Sequence, residues 1–503
     1  MNIGTNNQIF IDGRFLDKRK NVDIIVQRPR KTEEKNIVSG VYSRIPGQED
    51  TCSDGPELRG YSQIMGNDGV FRGFDFVSTD GVNWRVASPK ILDAGKFSYG
   101  VRQCTGTLSH GVVFEDPKAT SEQERYKLVS GIQNKVFATS DGREWTEIRT
   151  GMFPQEAMFP RGMDSQNIAF YDESLDKYTA YVRVNKLCGV PPQHKQYFEK
   201  GVGLDFFGGN NHLRCVGRSA TDDLSSFPMP QIVLEPDDKD PIMDGVGVLD
   251  FYIPQVVKYP NAQDAYLMFP NPFLHYEDWY LTDDLSIYYS AKSTERLNTG
   301  PLDIAFAASR DGIDWHRYDR KPLITLGRIG ELDDRGLYPV RGLVFHDDEV
   351  WLYYIENASH FLLEGGSKHR NTMSRVVFRK DGFTAVEAAY AGGEFTTPAL
   401  VFDGDQLRLN VETSALGLAR VEIQDDSGKQ IPGYTFDDCD RIHTTNSTQR
   451  TVSWRKGNSN IGNLAHKQVR FRFELQYGAK LYAFSTGAVT ANTIQPDRSI
   501  RAS

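Results

Sequence analysis

Carboxylates, arginines and aromatic rings recur in this sequence beside short apolar runs, and that mixture is suited to acid–base chemistry on a polar, ring-shaped substrate. Four carboxyls stand out: Asp116 in Phe114-Glu115-Asp116-Pro117, Asp164 in the run Arg161 to Asn167, Asp250 ahead of Phe251-Tyr252, and Glu331 in the run Gly330 to Arg335. Around them stand Arg161, Gln166, His275, Trp279 and Arg341 as substrate-binding candidates. Separated carboxyls suit hydrolysis of a glycosidic bond, in which one protonated carboxyl donates to the leaving oxygen and one carboxylate activates water or attacks carbon. The competing role for any single Asp is to cap a turn or a strand end. For His275 and His360 it is packing or hydrogen bonding. Arg161 and Arg341, if both enter one cavity, would hold a substrate carboxylate or sulfate by paired hydrogen bonds; the alternative is that each offsets a neighbouring Asp or Glu.

Such residues act together only if the fold brings them together, and an internal repeat supplies the means. The pattern Ser/Thr-x-Asp-Gly-x-x-Trp occurs at Ser78 to Trp84, Thr139 to Trp145 and Ser309 to Trp315, with degenerate copies at Thr221 to Phe227 and around Asp381-Gly382. In such a turn the Asp carboxylate accepts backbone N–H groups, Gly supplies a positive φ and the aromatic ring folds back over the turn. The five Asp positions are spaced 61, 82, 88 and 70 residues apart, enough for a four-stranded unit and a loop each time. Apolar runs at 111–114, 167–171, 255–259 and 342–345 read as inner strands. Runs at 126–129, 178–182, 265–269 and 350–354 read as their neighbours.

The expectation is an all-β chain, a five-bladed β-propeller over residues 1–390. The alternating segment with Val22, Ile24 and Val26 is expected to complete the last blade. From 391 to 486 the strands alternate strictly, as in Val469, Phe471, Phe473 and Leu475, which predicts a β-sandwich of accessory, stabilising role. Residues 487–503 read as a loose tail. In a propeller the residues at the entrances of the inner strands face one shared channel, which is where the candidate site residues fall.

Composition narrows the partners. Across 503 residues, 58 Lys and Arg face 67 Asp and Glu for a net charge of −9, which disfavours general attraction to nucleic acid. No run of roughly 18 apolar residues exists to span a membrane as a helix. Aromatic residues reach 12%, including 23 Tyr and 29 Phe, and these suit both strands and stacking on sugar rings. Five scattered cysteines form no metal-ligand spacing. No cofactor is required, although the wealth of carboxylates leaves room for a structural cation with no defined ligand set. The N-terminus shows no basic segment leading into an apolar core, leaving a cytoplasmic protein and a processed periplasmic or secreted one as alternatives.

The stretch Phe114-Glu115-Asp116-Pro117-Lys118 followed by Tyr126-Lys127-Leu128-Val129 resembles the Arg-Asp-Pro blade motif of invertase- and levanase-type enzymes. The whole layout is similar to five-bladed propeller glycosidases, arabinanases and xylosidases included. By that resemblance Asp116 steadies the transition state and Asp164 is the acid. The pattern's Asp nucleophile in an Asn-Asp-Pro-type motif has no counterpart before Glu115, so acid and base are to be drawn from Asp164, Asp250 and Glu331. The resemblance implies a glycoside hydrolase acting near the ends of a plant or algal oligosaccharide or polysaccharide. The rival is a non-catalytic propeller that binds carbohydrate or protein through the same face.

Overall fold

The computed structural model describes residues 1–34, 71–73, 76–78, 80–82, 85–86, 113–131, 133–140, 145–158, 162–163, 167–187, 212–240, 246–276, 300–328, 331, 333–334, 336–357 and 372–487. These residues form strands and short 3-10 turns. Five sheets follow one another along the chain. The first holds Phe71–Gly73, Phe76–Ser78 and Arg85–Val86. The second runs Val113–Glu115, Tyr126–Ser130, Lys135–Thr139 and Thr146–Thr150 in order. The third holds Ile168–Asp172, Lys177–Leu187, His212–Thr221 and Gln231–Leu234. The fourth holds Val256–Lys258, Tyr266–Met268, Ala307–Ser309 and His316–Arg317. The fifth is built on Glu349–Asn357, flanked by Gly336–Pro339 and Val344–His346 on one side and Thr372–Arg379 on the other.

The repeated turn has the geometry its residues dictate. Asp311 Oδ1 accepts from the backbone N–H groups of Ile313 and Asp314, each at 2.8 Å, and Gly312 takes φ 73°. The Trp315 indole folds back and donates to the Gly312 carbonyl at 3.2 Å. The turn thus links the third strand of its sheet to the fourth. At the first copy Asp80 accepts from Val82 N–H at 2.8 Å and Gly81 takes φ 68°. The Asp-Gly of the second copy lies outside the described residues.

Tyrosines then join one sheet's turn to its neighbour. Tyr181 of the third sheet donates to the Gly312 carbonyl of the fourth at 2.8 Å, and Tyr353 of the fifth donates to the Gly81 carbonyl of the first at 2.6 Å. The second contact brings the last sheet in the sequence against the first. Tyr259 of the fourth sheet donates to Asp381, just past the fifth sheet's third strand, at 2.7 Å. Tyr178 of the third sheet reaches back to Asp116 of the second at 2.8 Å, and Tyr266 of the fourth reaches back to Asp172 of the third at 2.5 Å.

One expectation is corrected. Val22–Val26 does not join the fifth sheet; it pairs antiparallel with Thr384–Ala388. The strand that completes the fifth sheet is Arg30–Lys31, beside Val376 and Val377. The reason is burial: Val22 and Val26 are apolar positions that need a core, whereas an outer strand leaves both faces largely wet and suits Arg30 and Lys31. Two larger sheets gather strands from both ends of the chain. One orders Asn446–Thr451, Arg408–Glu412, Lys480–Ser485, Thr384–Ala388 and Val22–Val26. The other orders Lys18–Lys20, Gly393–Thr396, Val469–Gln476, Leu418–Asp425 and Ile442–His443. Both contribute to one buried cluster, in which Val386, Leu409 and Phe484 of the first meet Phe395, Val421 and Phe473 of the second.

Removing one latch hydroxyl tests this arrangement. Tyr353→Phe leaves the ring but removes its hydrogen bond to the Gly81 carbonyl, and is expected to lower unfolding free energy by about 1–3 kcal/mol in urea titrations. A melting point and midpoint equal to wild type would show that the contact does not hold the first and fifth sheets together.

Candidate functional site

The chain ahead of the fourth sheet's inner strand forms its own antiparallel pair, Val246–Phe251 with Pro272–Tyr276. Leu249 and Phe251 enter an apolar cluster with Ile168, Tyr181 and Val216 of the third sheet. Strand alternation turns Asp250, between them, to the side of its ladder partner Phe273. There the carboxylate is fully buried and held by Arg214 Nη1 at 2.8 Å. The Arg214 guanidinium also lies over the rings of Tyr252 and Phe273, with centroid distances of 5.8 and 5.6 Å, and Arg183 lies 5.5 Å over Tyr252. Tyr252 meets Phe273 and Tyr338 edge to face, so the fifth sheet closes over this group. A buried ion pair roofed by aromatic rings is the described feature closest to the chemistry expected from the sequence.

A second carboxyl belongs to the same strand system. Leu302 bridges to Phe273 on one side and to Gly336 on the other, so Asp250, Phe273, Leu302 and Gly336 follow one another across adjacent strands. Asp303 comes one residue later. It is buried, its Oδ1 has no hydrogen-bond partner, and burial alone pushes its carboxyl up to about 7. Desolvation acts in that direction because it penalises the charged form, and no cation among the described residues offsets it. Asn271 fixes this segment, donating through Nδ2 to the Asp303 carbonyl at 2.6 Å and to the Leu337 carbonyl of the fifth sheet at 2.7 Å.

The other expected carboxyls lie on other elements. Asp116 follows its inner strand rather than preceding one, and is engaged by Lys127 Nζ at 3.0 Å, the Tyr178 hydroxyl and the Lys118 N–H. Asp172 occupies the equivalent place in the third sheet, with Lys258 and Tyr266 as partners, so both are ties between neighbouring sheets. Glu331 is exposed and caps a turn, accepting from Arg328 N–H at 2.8 Å. Arg341 donates to the Val113 carbonyl of the second sheet's inner strand. His275 stands opposite Val248, two residues beyond Phe273, and its side chain lies outside the described residues. Arg161, Asp164, Gln166 and Trp279 also lie outside the described residues. The structure therefore joins Asp250 with Tyr252, Phe273 and Tyr338, and places Asp116 and Glu331 elsewhere.

Arg183, Arg214, Asn271 and Asp303 were not singled out in the sequence. Arg214 could have been found from its place on a strand otherwise rich in apolar residues, Leu213-Arg214-Cys215-Val216. Among the described residues no group of three or more His, Cys, Asp or Glu side chains is placed to hold a metal ion. Among them, too, no helix is long and apolar enough to cross a membrane.

No protein-family model matches this chain, and no curated protein matches it. Solved structures similar to it include a glycoside hydrolase at 10% identity and a TM-score of 0.37, covering 72% of this chain and 92% of that one. Another is a glycoside hydrolase family 43 arabinoxylan arabinofuranohydrolase from Bacillus subtilis, at 12% identity and a TM-score of 0.34, covering 86% and 96%. A third is a β-1,2-mannobiose phosphorylase from Listeria innocua, at 12% identity and a TM-score of 0.32, covering 62% and 68%. Likeness of this degree assigns no activity.

The Asp303 carboxyl carries a prediction about pH. Its folded pKa, about 7, lies above the ordinary carboxylate value of 3.8, so between those values the folded state binds more protons than the unfolded state. Stability must then be greatest in this respect below pH 4 and fall as pH rises toward 7, by about 4 kcal/mol at most. Asp303→Asn is expected to flatten that fall and to melt above wild type at pH 8. Parallel melting curves for the two proteins from pH 4 to 8 would refute the assignment.

Proposed function

We propose that this chain is a glycoside hydrolase whose five sheets are the blades of a β-propeller, with the two larger sheets forming a β-sandwich. On this reading the propeller spans about residues 30–380, and the sandwich takes residues 1–26 together with 384–487. The observation that carries the functional reading is the buried Asp250 carboxylate, ion-paired with Arg214 under the rings of Tyr252 and Phe273.

Asp250 serves as one catalytic carboxyl, with Asp164 the further carboxyl to be tested. The fully buried polar groups beside Asp250 favour a closed pocket over an open cleft, and hence action at the end of a plant or algal oligosaccharide chain.

A reducing-sugar release screen over arabino-, xylo-, manno- and fructo-oligosaccharides tests the reading directly. Asp250→Asn is expected to lower kcat/KM by 10²-fold or more, on the order of what a positioned acid or base contributes. Asp164→Asn should lose activity on alkyl-linked substrates and keep more of it on aryl glycosides, whose leaving groups need no proton. Wild-type protein inactive across the panel, or variants as active as wild type, would overturn this reading.

A further inference from the structure

The wedge between the fourth and fifth sheets contains polar atoms that the ion pair at Asp250 does not use. Gln255 immediately precedes the fourth sheet's inner strand, and its carbonyl accepts from Phe269 N–H at 2.7 Å. Its side chain is completely buried, yet among the described residues neither the amide nitrogen nor the amide oxygen has a hydrogen-bond partner. Asn271 N–H donates to the Ile253 carbonyl, so Gln255 and Asn271 lie diagonally across the same strand pair. Asn271 is also fully buried, and while its Nδ2 is spent on two carbonyls its Oδ1 has no partner. Native interiors rarely leave such groups unmet, because each costs its desolvation without a return.

The position itself argues against a packing role. Counting from the paired Tyr171 and Tyr178 of the third sheet, and from the paired Lys258 and Tyr266 of the fourth, the same register site holds Ile168 opposite Tyr181 in one and Gln255 opposite Phe269 in the other. The third sheet fills it with an aliphatic side chain inside the apolar cluster. A carboxamide in the same surroundings is a polar group placed where an apolar one fits.

We propose that Gln255 and Asn271 form a hydroxyl-recognising subsite for a neutral sugar ring, adjoining Asp250 in the wedge between the fourth and fifth sheets. This rests on the glycoside hydrolase reading for the sugar's presence and adds the residues that choose it. A carboxamide offers both a donor and an acceptor, which matches vicinal hydroxyls that each donate and accept. The unmatched atoms here are two oxygens, Gln255 Oε1 and Asn271 Oδ1, with one donor group, Gln255 Nε2. Such a set repels a carboxylate or sulfate and accepts hydroxyl protons. The subsite therefore selects a neutral sugar.

The test uses Gln255→Leu in the full chain, with Asn271 left intact because its amide ties the two sheets together. The probes are L-arabinose, D-xylose, D-mannose, D-galactose, D-fructose and D-glucuronate, read by thermal shift, alongside steady-state kinetics on the oligosaccharides of the release screen. Gln255→Leu without sugar is expected to melt above wild type, since an unpartnered amide is replaced by an apolar side chain. One neutral sugar should raise the melting point of wild type and not of the variant, and KM should rise about tenfold while kcat stays within about twofold. Gln255→Leu melting below wild type with its sugar shift and KM unchanged would mean that the amide holds only solvent, and the proposal fails. It fails equally if no neutral sugar shifts wild type or if glucuronate does so best. A neutral sugar bound through Gln255 by a protein that releases no reducing sugar would keep this inference and sink the hydrolytic reading. Hydrolysis with KM unaffected by Gln255→Leu would do the reverse.

Discussion

The position of every side chain described above depends on how one sheet is registered against the next, and the contact that sets this is a tyrosine hydroxyl donating to the carbonyl of an Asp-Gly turn. Tyr181 to Gly312 and Tyr353 to Gly81 are the same contact made at two places. Each demands glycine twice over. The backbone there takes φ near 70°, which a side chain disfavours, and a Cβ on Gly81 would stand 2.5 Å from the Trp351 ring and 2.7 Å from the Tyr353 hydroxyl. The Asp of the turn fixes the loop, the Gly leaves its carbonyl approachable, and the neighbour's Tyr reads that carbonyl. Because Tyr353 belongs to the last sheet and Gly81 to the first, one hydrogen bond of this kind ties together segments 272 residues apart.

The sheets are also tied at the other ends of their inner strands, by Asp116 with Lys127 and Tyr178 and by Asp172 with Lys258 and Tyr266. Those carboxylates are engaged by fixed cations and hydroxyls, which makes them good fasteners. The strand entrances are different. Asp250 is paired, but Asp303, Gln255 and Asn271 carry buried polar atoms with no partner among the described residues. Sheet-to-sheet packing is rigid at the fastened end and polar but incompletely matched at the other. That division is what a binding site needs, since atoms already satisfied by the protein have nothing left for a ligand.

Much of this was legible in the sequence because it rests on local rules. Asp-Gly with a following aromatic specifies a turn, and alternation specifies the strands at 126–130 and 177–187. What was not legible depends on distant partners. Asp116 matched a catalytic motif in its immediate neighbours, but the Tyr178 hydroxyl that donates to it comes from 62 residues away. Val22–Val26 has the pattern of a strand, and a pattern does not say which sheet it joins; two residues, Arg30–Lys31, with no apolar signal at all, do the work expected of it. Asp303 lies in Pro301-Leu302-Asp303-Ile304, where nothing in the spacing marks it. Its character comes from its burial once the chain has folded.

The exchange at the N-terminus also changes what the second unit is for. If residues 391–486 alone formed it, the unit would be an appendage joined by one linker. Instead its two sheets take strands from residues 18–20 and 22–26 as well as from 384–388. The chain leaves it after Val26 to place Arg30–Lys31 on the fifth sheet and returns to it directly from that sheet's third strand. Arg310 of the fourth sheet reinforces the junction, donating to Asp12 and to the Ile9 carbonyl while also meeting Asp264. The fifth sheet is therefore held on its outer edge by a strand whose neighbours are anchored in another core. Since that sheet carries Tyr338 and Leu337 over the Asp250 wedge and Tyr353 against the first sheet, the two-sheet unit helps fix the geometry of the site without contributing a residue to it.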